Sequence, residues 1–123
     1  MSETTGTHRQ TVYPLVSYAD PVKAIAWLER AFGFVPHQIS KDDDGRIVHI
    51  EMRAGTDIFM ISEAPPGGAG LYVAVDDPDA HHDRAAAAGA EITAGLADKP
   101  YGSRDYAARD LEGNDWYFGT YRP

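Results

Sequence analysis

Alternating hydrophobic and polar positions mark the first strand of the chain and the helix that follows it. Residues 11–18 (TVYPLVSY) alternate and are rich in β-forming side chains, which predicts a strand. Asp20 and Pro21 then predict a helix start, because Asp caps free amides and Pro fits the first helical turn. Gly33 predicts the helix end through a left-handed cap. The side chains expected to point from this helix toward a core are Val22, Ile25, Ala26, Trp27, Leu28 and Phe32.

Further strands and a second helix follow, separated by stretches rich in Asp, Gly and Pro. The first half is predicted to continue with strands 34–40, 46–53 and 57–62, and it ends in the Pro/Gly-rich loop 63–70. Turns are placed at 42–45 and 54–56, because Asp and Gly tolerate the backbone angles that turns require. The second half is predicted to contain strand 71–75, helix 79–88, strands 91–94, 103–109 and 115–121, loop 96–102 and turn 110–114.

The second half repeats the pattern of the first. Asp20-Pro21 matches Asp77-Pro78, Gly33 matches Gly89 and Gly55 matches Gly113, at offsets of 57, 56 and 58 residues. A nearly constant offset predicts a duplicated supersecondary unit that must pack against its copy. The predicted fold is α+β, with two βαβββ modules in tandem, 11–63 and 70–121, joined by loop 63–70 and preceded by a disordered tail at 1–10. Chance similarity of two αβ units stays open as the alternative.

Composition narrows the classes of function. The 123 residues suit one domain, and the absence of cysteine excludes a disulfide, a zinc–thiolate site and a thiol nucleophile. The polar first segment and the lack of an apolar run near ~18 residues predict no signal peptide, no membrane partner and a cytoplasmic location. A formal net charge of -8 repels nucleic acid and favours encounter with cationic small molecules. Solubility alone also explains this acidic balance.

Three stretches of the sequence resemble the bleomycin-resistance and glyoxalase families of the vicinal oxygen chelate superfamily. YGSRDYAARDLEGNDWYFGTY (101–121) is similar to their closing strands, in which an Arg-Asp strand, Asp-x-x-Gly-Asn and an aromatic strand follow one another. YADPVKAIAWLERAFGF (18–34) resembles their first helix, and VDDPDAHHDRAAAAGAEI (75–92) resembles their second. The resemblance covers residues 11–121. It implies curved mixed sheets that form a ligand cleft, and a homodimer in which each cleft is often shared between two chains.

The resemblance also locates four positions where metal-dependent members place His, Gln or Glu. In this sequence the positions correspond to Tyr13, Phe59 or Met60, Gly70 and Tyr117. None of these is a usual ligand for a divalent cation, which needs several anionic or imidazole donors. We therefore expect no metal, no other cofactor and no Lewis-acid chemistry on a chelated substrate.

Histidine and glutamate occur at other positions. His49 and Glu51 are two residues apart on a predicted strand, so they share one face. They suit the start of a metal site or an acid/base pair, and the alternative is a solvent-facing edge or a hydrogen-bonded pair lining a cleft. His81 and His82 diverge by about 100° on the second helix, so both are expected at the surface.

Alternation along the last strand predicts which side chains face the cleft. Asp115 and Tyr117 share one face, and Trp116 and Phe118 are expected to pack under a helix on the other. Aromatic rings at the cleft face would stack planar ligands and attract cations, and a closed core filled by tyrosines is the alternative. The candidate ligand-binding residues are Tyr13, His49, Glu51, Phe59, Met60, Tyr106, Asp115 and Tyr117, with Tyr72 and Tyr101 as further candidates for the rim.

These features favour a protein that binds a small organic molecule. An acidic, aromatic cleft without a metal suits sequestration of a cationic aromatic compound or antibiotic, as the resemblance to drug-sequestering resistance proteins implies. The alternative is a metal-dependent enzyme, a lyase, isomerase or dioxygenase, with His49 and Glu51 as donors. A third hypothesis is a cleft used only for dimerisation or regulation.

Overall fold

Two repeats of the same element order make up the described part of the chain. The computed structural model describes residues 10–67 and 70–123. Module one contains β1 (Leu15–Tyr18), α1 (Pro21–Phe32), β2 (Val35–Lys41), β3 (Ile47–Ala54) and β4 (Asp57–Glu63). Module two contains β5 (Leu71–Ala74), α2 (Pro78–Ala87), β6 (Glu91–Asp98), β7 (Arg104–Arg109) and β8 (Asp115–Gly119). The predicted α+β fold with duplicated βαβββ modules is confirmed.

Each module forms one mixed sheet with the same strand order. The orders are β1-β4-β3-β2 and β5-β8-β7-β6, with β1 parallel to β4 and β5 parallel to β8. Leu15 pairs with Met60 in the first sheet, and Tyr72 pairs with Tyr117 in the second. The register therefore makes Leu15 equivalent to Tyr72, and Met60 equivalent to Tyr117.

The helix ends follow the predicted capping chemistry. The side chain of Asp20 accepts a hydrogen bond from the Lys23 amide at 3.2 Å, and Asp77 accepts one from the Ala80 amide at 3.1 Å. Gly33 ends α1 with a φ of 76°, a conformation that favours glycine.

The buried side of α1 differs from the predicted one. Its buried stripe follows the spacing of one helix face and consists of Pro21, Ala24, Trp27, Leu28, Ala31 and Phe32. Val22 is 64% exposed and Ala26 is exposed as well, so the prediction that these two face the core is wrong. Both lie outside the stripe because successive helix positions turn by about 100°.

Three strand ends differ from the prediction by more than one residue. β1 begins at Leu15 rather than at residue 11, and β8 ends at Gly119 rather than at residue 121. β6 continues to Asp98 where a loop was predicted from residue 96. Its extra residues pair with β7 across an irregular register, so tertiary pairing overrides the weak strand preference of Ala and Gly.

The predicted disordered tail lies outside the described residues except for Gln10. The Gln10 side-chain amide donates to the Ile58 carbonyl at 2.6 Å and accepts from the Ile58 amide. The Gln10 side chain therefore pairs with the backbone N–H and C=O of Ile58, next to the part of β4 that pairs with β1. No helix in the described residues is long and apolar enough to cross a membrane.

Aromatic rings from both modules meet in one core. Phe32 lies 4.8 Å from Phe118 between ring centroids, and Phe34 lies 5.2 Å from Trp116. Trp116 is 1% exposed, and its buried position under the helices confirms the predicted alternation of β8. Trp27 is buried as predicted, and its Nε1 donates to the Ala88 carbonyl of module two at 2.9 Å.

The turn at residues 110–114, here called the module clamp, joins module two to β1 and α1. Buried Asp110 accepts hydrogen bonds from the Tyr18 hydroxyl at 2.6 Å and the Trp116 indole at 2.9 Å. Burial and the Asp110 carboxylate raise the pKa of the Tyr18 hydroxyl, which keeps it protonated as the donor. Glu112 accepts from the Ala19 amide at 2.6 Å and from the Asp20 amide at 2.9 Å.

Candidate ligand-binding site

Each sheet has one face against the core and one face, here called its open face, that the helices do not cover. Strand alternation and register define both open faces. The open face of module one carries Leu15, Ser17, His49, Glu51, Met60 and Ser62. The open face of module two carries Tyr72, Asp105, Asp115, Tyr117 and Gly119. Tyr13 lies just before β1 and is 42% exposed.

A hydrogen-bonded pair occupies the open face of module one. His49 Nε2 lies 2.7 Å from Glu51 Oε2, and the ring is partly exposed. His37 on the neighbouring strand has its Nε2 3.9 Å from the other Glu51 carboxylate oxygen. Met60 lies beside Glu51 in register. Of the interpretations left open by the sequence, the geometry matches a hydrogen-bonded pair on an open sheet face.

Tyrosines surround one carboxylate on the open face of module two. The Tyr72 hydroxyl donates to Asp105 Oδ1 at 3.0 Å and accepts from the Tyr121 amide at 2.9 Å. The Tyr101 hydroxyl donates to Asp105 Oδ2 at 3.3 Å, and its ring meets the Tyr121 ring edge-on at 5.9 Å. The group Tyr72, Tyr101, Tyr121 and Asp105 is called the tyrosine cluster below.

Two glycines make room for these side chains. A Cβ at position 119 would overlap the Asp105 carboxylate and the Tyr72 hydroxyl. A Cβ at position 70 would overlap the Tyr117 ring, which lies over this glycine. Gly70 therefore makes room for the Tyr117 ring, and Gly119 makes room for the Asp105 carboxylate and the Tyr72 hydroxyl.

Asp115 and Asp105 share the open face but differ in their partners. Arg109 Nε lies 2.9 Å from Asp115 Oδ1, so the guanidinium group forms a salt bridge with this carboxylate. Within the described residues no basic side chain forms a salt bridge with Asp105. The sequence interpretation missed Asp105, because strand alternation places it on the Tyr117 face only once its neighbour Tyr106 is known to be buried.

Two of the candidate ligand-binding residues lie in the core instead. Phe59 is on the opposite side of β4 from Met60, and its ring lies 5.5 Å from that of Trp116. Tyr106 is 2% exposed, and its hydroxyl lies 2.5 Å from His81 Nδ1. Neither shares an open face with the other candidates, because alternation turns both side chains toward the helices.

The expectation that His81 lies at the surface is wrong. Its ring packs 4.3 Å from Phe118 between centroids, and its Nε2 lies 3.0 Å from the Phe32 carbonyl at the end of α1. A carbonyl only accepts, so Nε2 donates to it. Nδ1 of the neutral ring then accepts a hydrogen bond from the Tyr106 hydroxyl. Burial is the main cause that lowers the pKa of His81. This histidine joins the two modules.

The positions that hold a metal in metal-dependent relatives do not fit one in this chain. The register makes Tyr13 equivalent to Gly70, and Met60 equivalent to Tyr117. These residues offer a thioether and two phenols but no carboxylate or imidazole, which are the donors that divalent cations prefer. Within the described residues, no three His, Asp or Glu side chains are placed to share an ion.

Two cavities lie next to these sheets. One of about 600 Å³ separates the β3–β4 turn from β5, and Phe59, His81 and Trp116 are among its lining residues. Another of about 650 Å³ lies at one end of module one and includes Leu15, His49 and Met60 in its wall. Open-face residues of module one therefore border a concave surface.

Comparison with known proteins gives the family. Residues 11–118 match the Glyoxalase/Bleomycin resistance protein/Dioxygenase superfamily, and the chain belongs to this superfamily. TioX from Micromonospora sp. ML1 is 35% identical, with 93% of this chain and 98% of that chain covered and a TM-score of 0.79. A search of curated proteins finds no match.

Two further solved structures share the fold at low identity. A glyoxalase-related enzyme from Clostridium phytofermentans is 18% identical, with 96% of this chain and 99% of that chain covered and a TM-score of 0.74. A glyoxalase/bleomycin resistance protein from Streptomyces sp. CB03234 is 21% identical, with 89% and 100% covered and a TM-score of 0.71.

Proposed function

We propose that this protein binds and sequesters a small planar organic molecule, such as an antibiotic, on its open sheet faces. The observation that carries the proposal is the set of half-exposed tyrosine rings on one face of module two. Tyr72 and Tyr117 are 42% and 46% exposed and are neighbours in register. Aromatic surface gathered on one sheet face is typical of a binding site, because rings stack well on planar ligands.

A homodimer completes the proposed cleft. Within the described residues, neither open face is covered by another element of the same chain, and Leu15 is 62% exposed on module one. We propose that the open face of module one covers that of module two in a second copy, leaving a ligand cleft between them. Light scattering at micromolar concentration is expected to give the mass of two chains, and the mass of one chain would contradict the dimer.

Titration with planar aromatic compounds tests the binding proposal. Tyr117→Ala removes a stacking ring and is expected to weaken binding roughly ten-fold. The matched variant Tyr117→Phe keeps the ring and is expected to bind as the wild type does. If the wild type binds no planar aromatic compound below about millimolar concentration, sequestration is wrong, since a weaker complex is worth less than about 4 kcal/mol.

A metal-dependent lyase, isomerase or dioxygenase is the second candidate. The observation that favours it is the His49–Glu51 pair at 2.7 Å on the open face, which supplies an imidazole and a carboxylate, two donor types found in metal sites. We expect elemental analysis of the purified protein to find no stoichiometric divalent ion. About one ion per chain that is lost in His49→Ala would favour the enzyme over the binding protein.

A further inference from the structure

We infer that the tyrosine cluster is the subsite for a cationic group of the ligand, and that the Asp105 carboxylate binds its positive charge. The cationic group is an organic ammonium or an amino-substituted aromatic cation. The inference rests on the proposed binding function and specifies which chemical class of molecule the open face selects. Two members of the cluster lie on the same sheet face as Tyr117: Tyr72 pairs directly with Tyr117, and Asp105 pairs with Gly119 two residues further along β8. A ring stacked beside Tyr117 would therefore bring its substituents to the cluster.

The hydrogen bonds within the cluster exclude an anionic ligand group and favour a ligand group that donates hydrogen bonds. The Tyr72 and Tyr101 hydroxyl protons are both used on Asp105, at 3.0 Å and 3.3 Å. Each oxygen of an ionised carboxylate has room for about two hydrogen bonds, so Asp105 retains acceptor capacity on both. The two phenols have no further proton to offer to a ligand. The cluster therefore offers a ligand only hydrogen-bond acceptors, and the N–H groups of a cation donate to such acceptors.

Charge and aromatic surface point to the same ligand class. Asp115 on this face is paired with Arg109 at 2.9 Å, whereas Asp105 has no basic side chain in a salt bridge within the described residues. Its nearest polar partners are phenols, whose ring faces attract cations. Tyr101 and Tyr121 are 65% and 47% exposed, so their rings are accessible to a bound cation.

The backbone at Gly119 shows that this arrangement is specific to module two. A Cβ at this position would overlap the Asp105 carboxylate and the Tyr72 hydroxyl, so a glycine is required for the cluster to form. The equivalent positions of module one hold Ser62, His49 and Leu15. Module one therefore lacks the glycine, the aspartate and the tyrosine at these positions. Among the described residues, the cation subsite occurs once per chain.

A matched pair of planar probes distinguishes binding through a positive charge from binding through ring stacking. At neutral pH 9-aminoacridine is a cation and acridine is neutral, and the two rings have almost the same shape. We expect the full-length wild type to bind 9-aminoacridine more tightly. Asp105→Asn is expected to weaken 9-aminoacridine binding at least about ten-fold and acridine binding by less than about two-fold, as the loss of one close charge predicts.

Asp98→Asn is the matched control because it makes the same change in net charge one strand away. Asp98 is paired with Arg104 at 3.2 Å and is highly exposed, so this variant is expected to change neither affinity by more than about two-fold. Equal losses in the two variants would reduce the effect to long-range charge and overturn the inference. Unchanged cation affinity in Asp105→Asn would overturn it as well.

Tyr101→Leu provides a second variant that does not depend on the carboxylate. Tyr101 is mostly exposed, so the fold is expected to be unaffected, while the affinity for 9-aminoacridine falls roughly three-fold and that for acridine does not change. Equal effects on both probes would contradict a cation subsite. Equal binding of the two probes by the wild type would contradict the subsite but leave the proposed binding function intact, whereas binding of neither probe would contradict both.

Discussion

The two modules share a strand order but differ in what their open faces carry. At equivalent positions, module one has Leu15, His49 and Met60 where module two has Tyr72, Asp105 and Tyr117. Their core faces remain alike, since Phe59 corresponds to Trp116 and both rings are buried. Packing restrains the helix-covered face because a change of volume there leaves a cavity or a clash. The uncovered face has no such restraint and can acquire binding chemistry.

The modules differ in a second respect, at the turn before the last strand. Four residues separate the matched pair Arg53 and Ile58 in module one, and five separate Arg109 and Asp115 in module two. The longer turn is the module clamp, which reaches across to β1 and α1. The shorter turn leaves the cavity of about 600 Å³ beside β5. The longer turn thus contacts the other module, whereas the shorter turn borders an open cavity.

The largest expected effect tests the contrast between the two faces of β8. Trp116→Ala is expected to lower the free energy of unfolding by about 3–5 kcal/mol, because it leaves a large cavity among the shared rings. Its neighbour Tyr117 is 46% exposed on the other face, and Tyr117→Ala is expected to cost less than about 1 kcal/mol. Urea denaturation of both variants measures the difference. The reverse order of the two costs would show that the faces are misassigned.

The next effect tests the contrast between the two turns. Asp110→Ala leaves the Tyr18 hydroxyl and the Trp116 indole as buried donors without their acceptor, and is expected to cost about 3 kcal/mol. The control is Thr56→Ala in the shorter turn of module one, which is expected to stay within about 0.5 kcal/mol. Equal stability of the two variants in a denaturant series would mean that the module clamp does not hold the modules together.

A smaller effect concerns the pH dependence of the contact between modules. Burial lowers the folded-state pKa of His81, so the unfolded chain takes up this proton first as the pH falls. The stability contributed by neutral His81 is present above an unfolded pKa of about 6.5 and is lost as the pH falls toward the lower folded value. Between about pH 7.5 and pH 5.5 the loss is expected to reach roughly 1 kcal/mol.

A variant pair isolates the contribution of His81 from that of the carboxylates. His81→Gln is expected to remove its part of the slope of unfolding free energy against pH, since glutamine does not titrate. His82→Gln changes the adjacent residue, whose Nδ1 lies 3.0 Å from the Asp83 carboxylate and whose ring meets the Tyr106 ring edge-on. An identical slope in His81→Gln and the wild type would show that His81 does not couple protonation to folding.

The sequence was sufficient to predict the features that depend on local pattern. Alternation correctly placed Trp116 on the buried side of β8, and the repeat of Asp-Pro and Gly predicted both helices. Contacts between distant residues could not be predicted in this way. His81 sits on a helix of low hydrophobicity, and only the approach of α1 brings the Phe32 carbonyl to its ring. To predict the position of Asp105 one must know which face of β7 is buried, and this depends on how the modules pack.

The module clamp has a consequence for the speed at which the chain folds and unfolds. Its contacts join residues far apart in sequence, since Tyr18 and Asp110 are 92 positions apart and Ser17 and Asn114 are 97 apart. Closing so long a loop costs chain entropy before the contact returns any free energy, which makes such contacts late events in folding. Contacts formed after the transition state slow unfolding more than they accelerate folding. The clamp therefore acts mainly on the lifetime of the folded protein, and under the proposed function this lifetime sets an upper limit on how long a ligand stays bound.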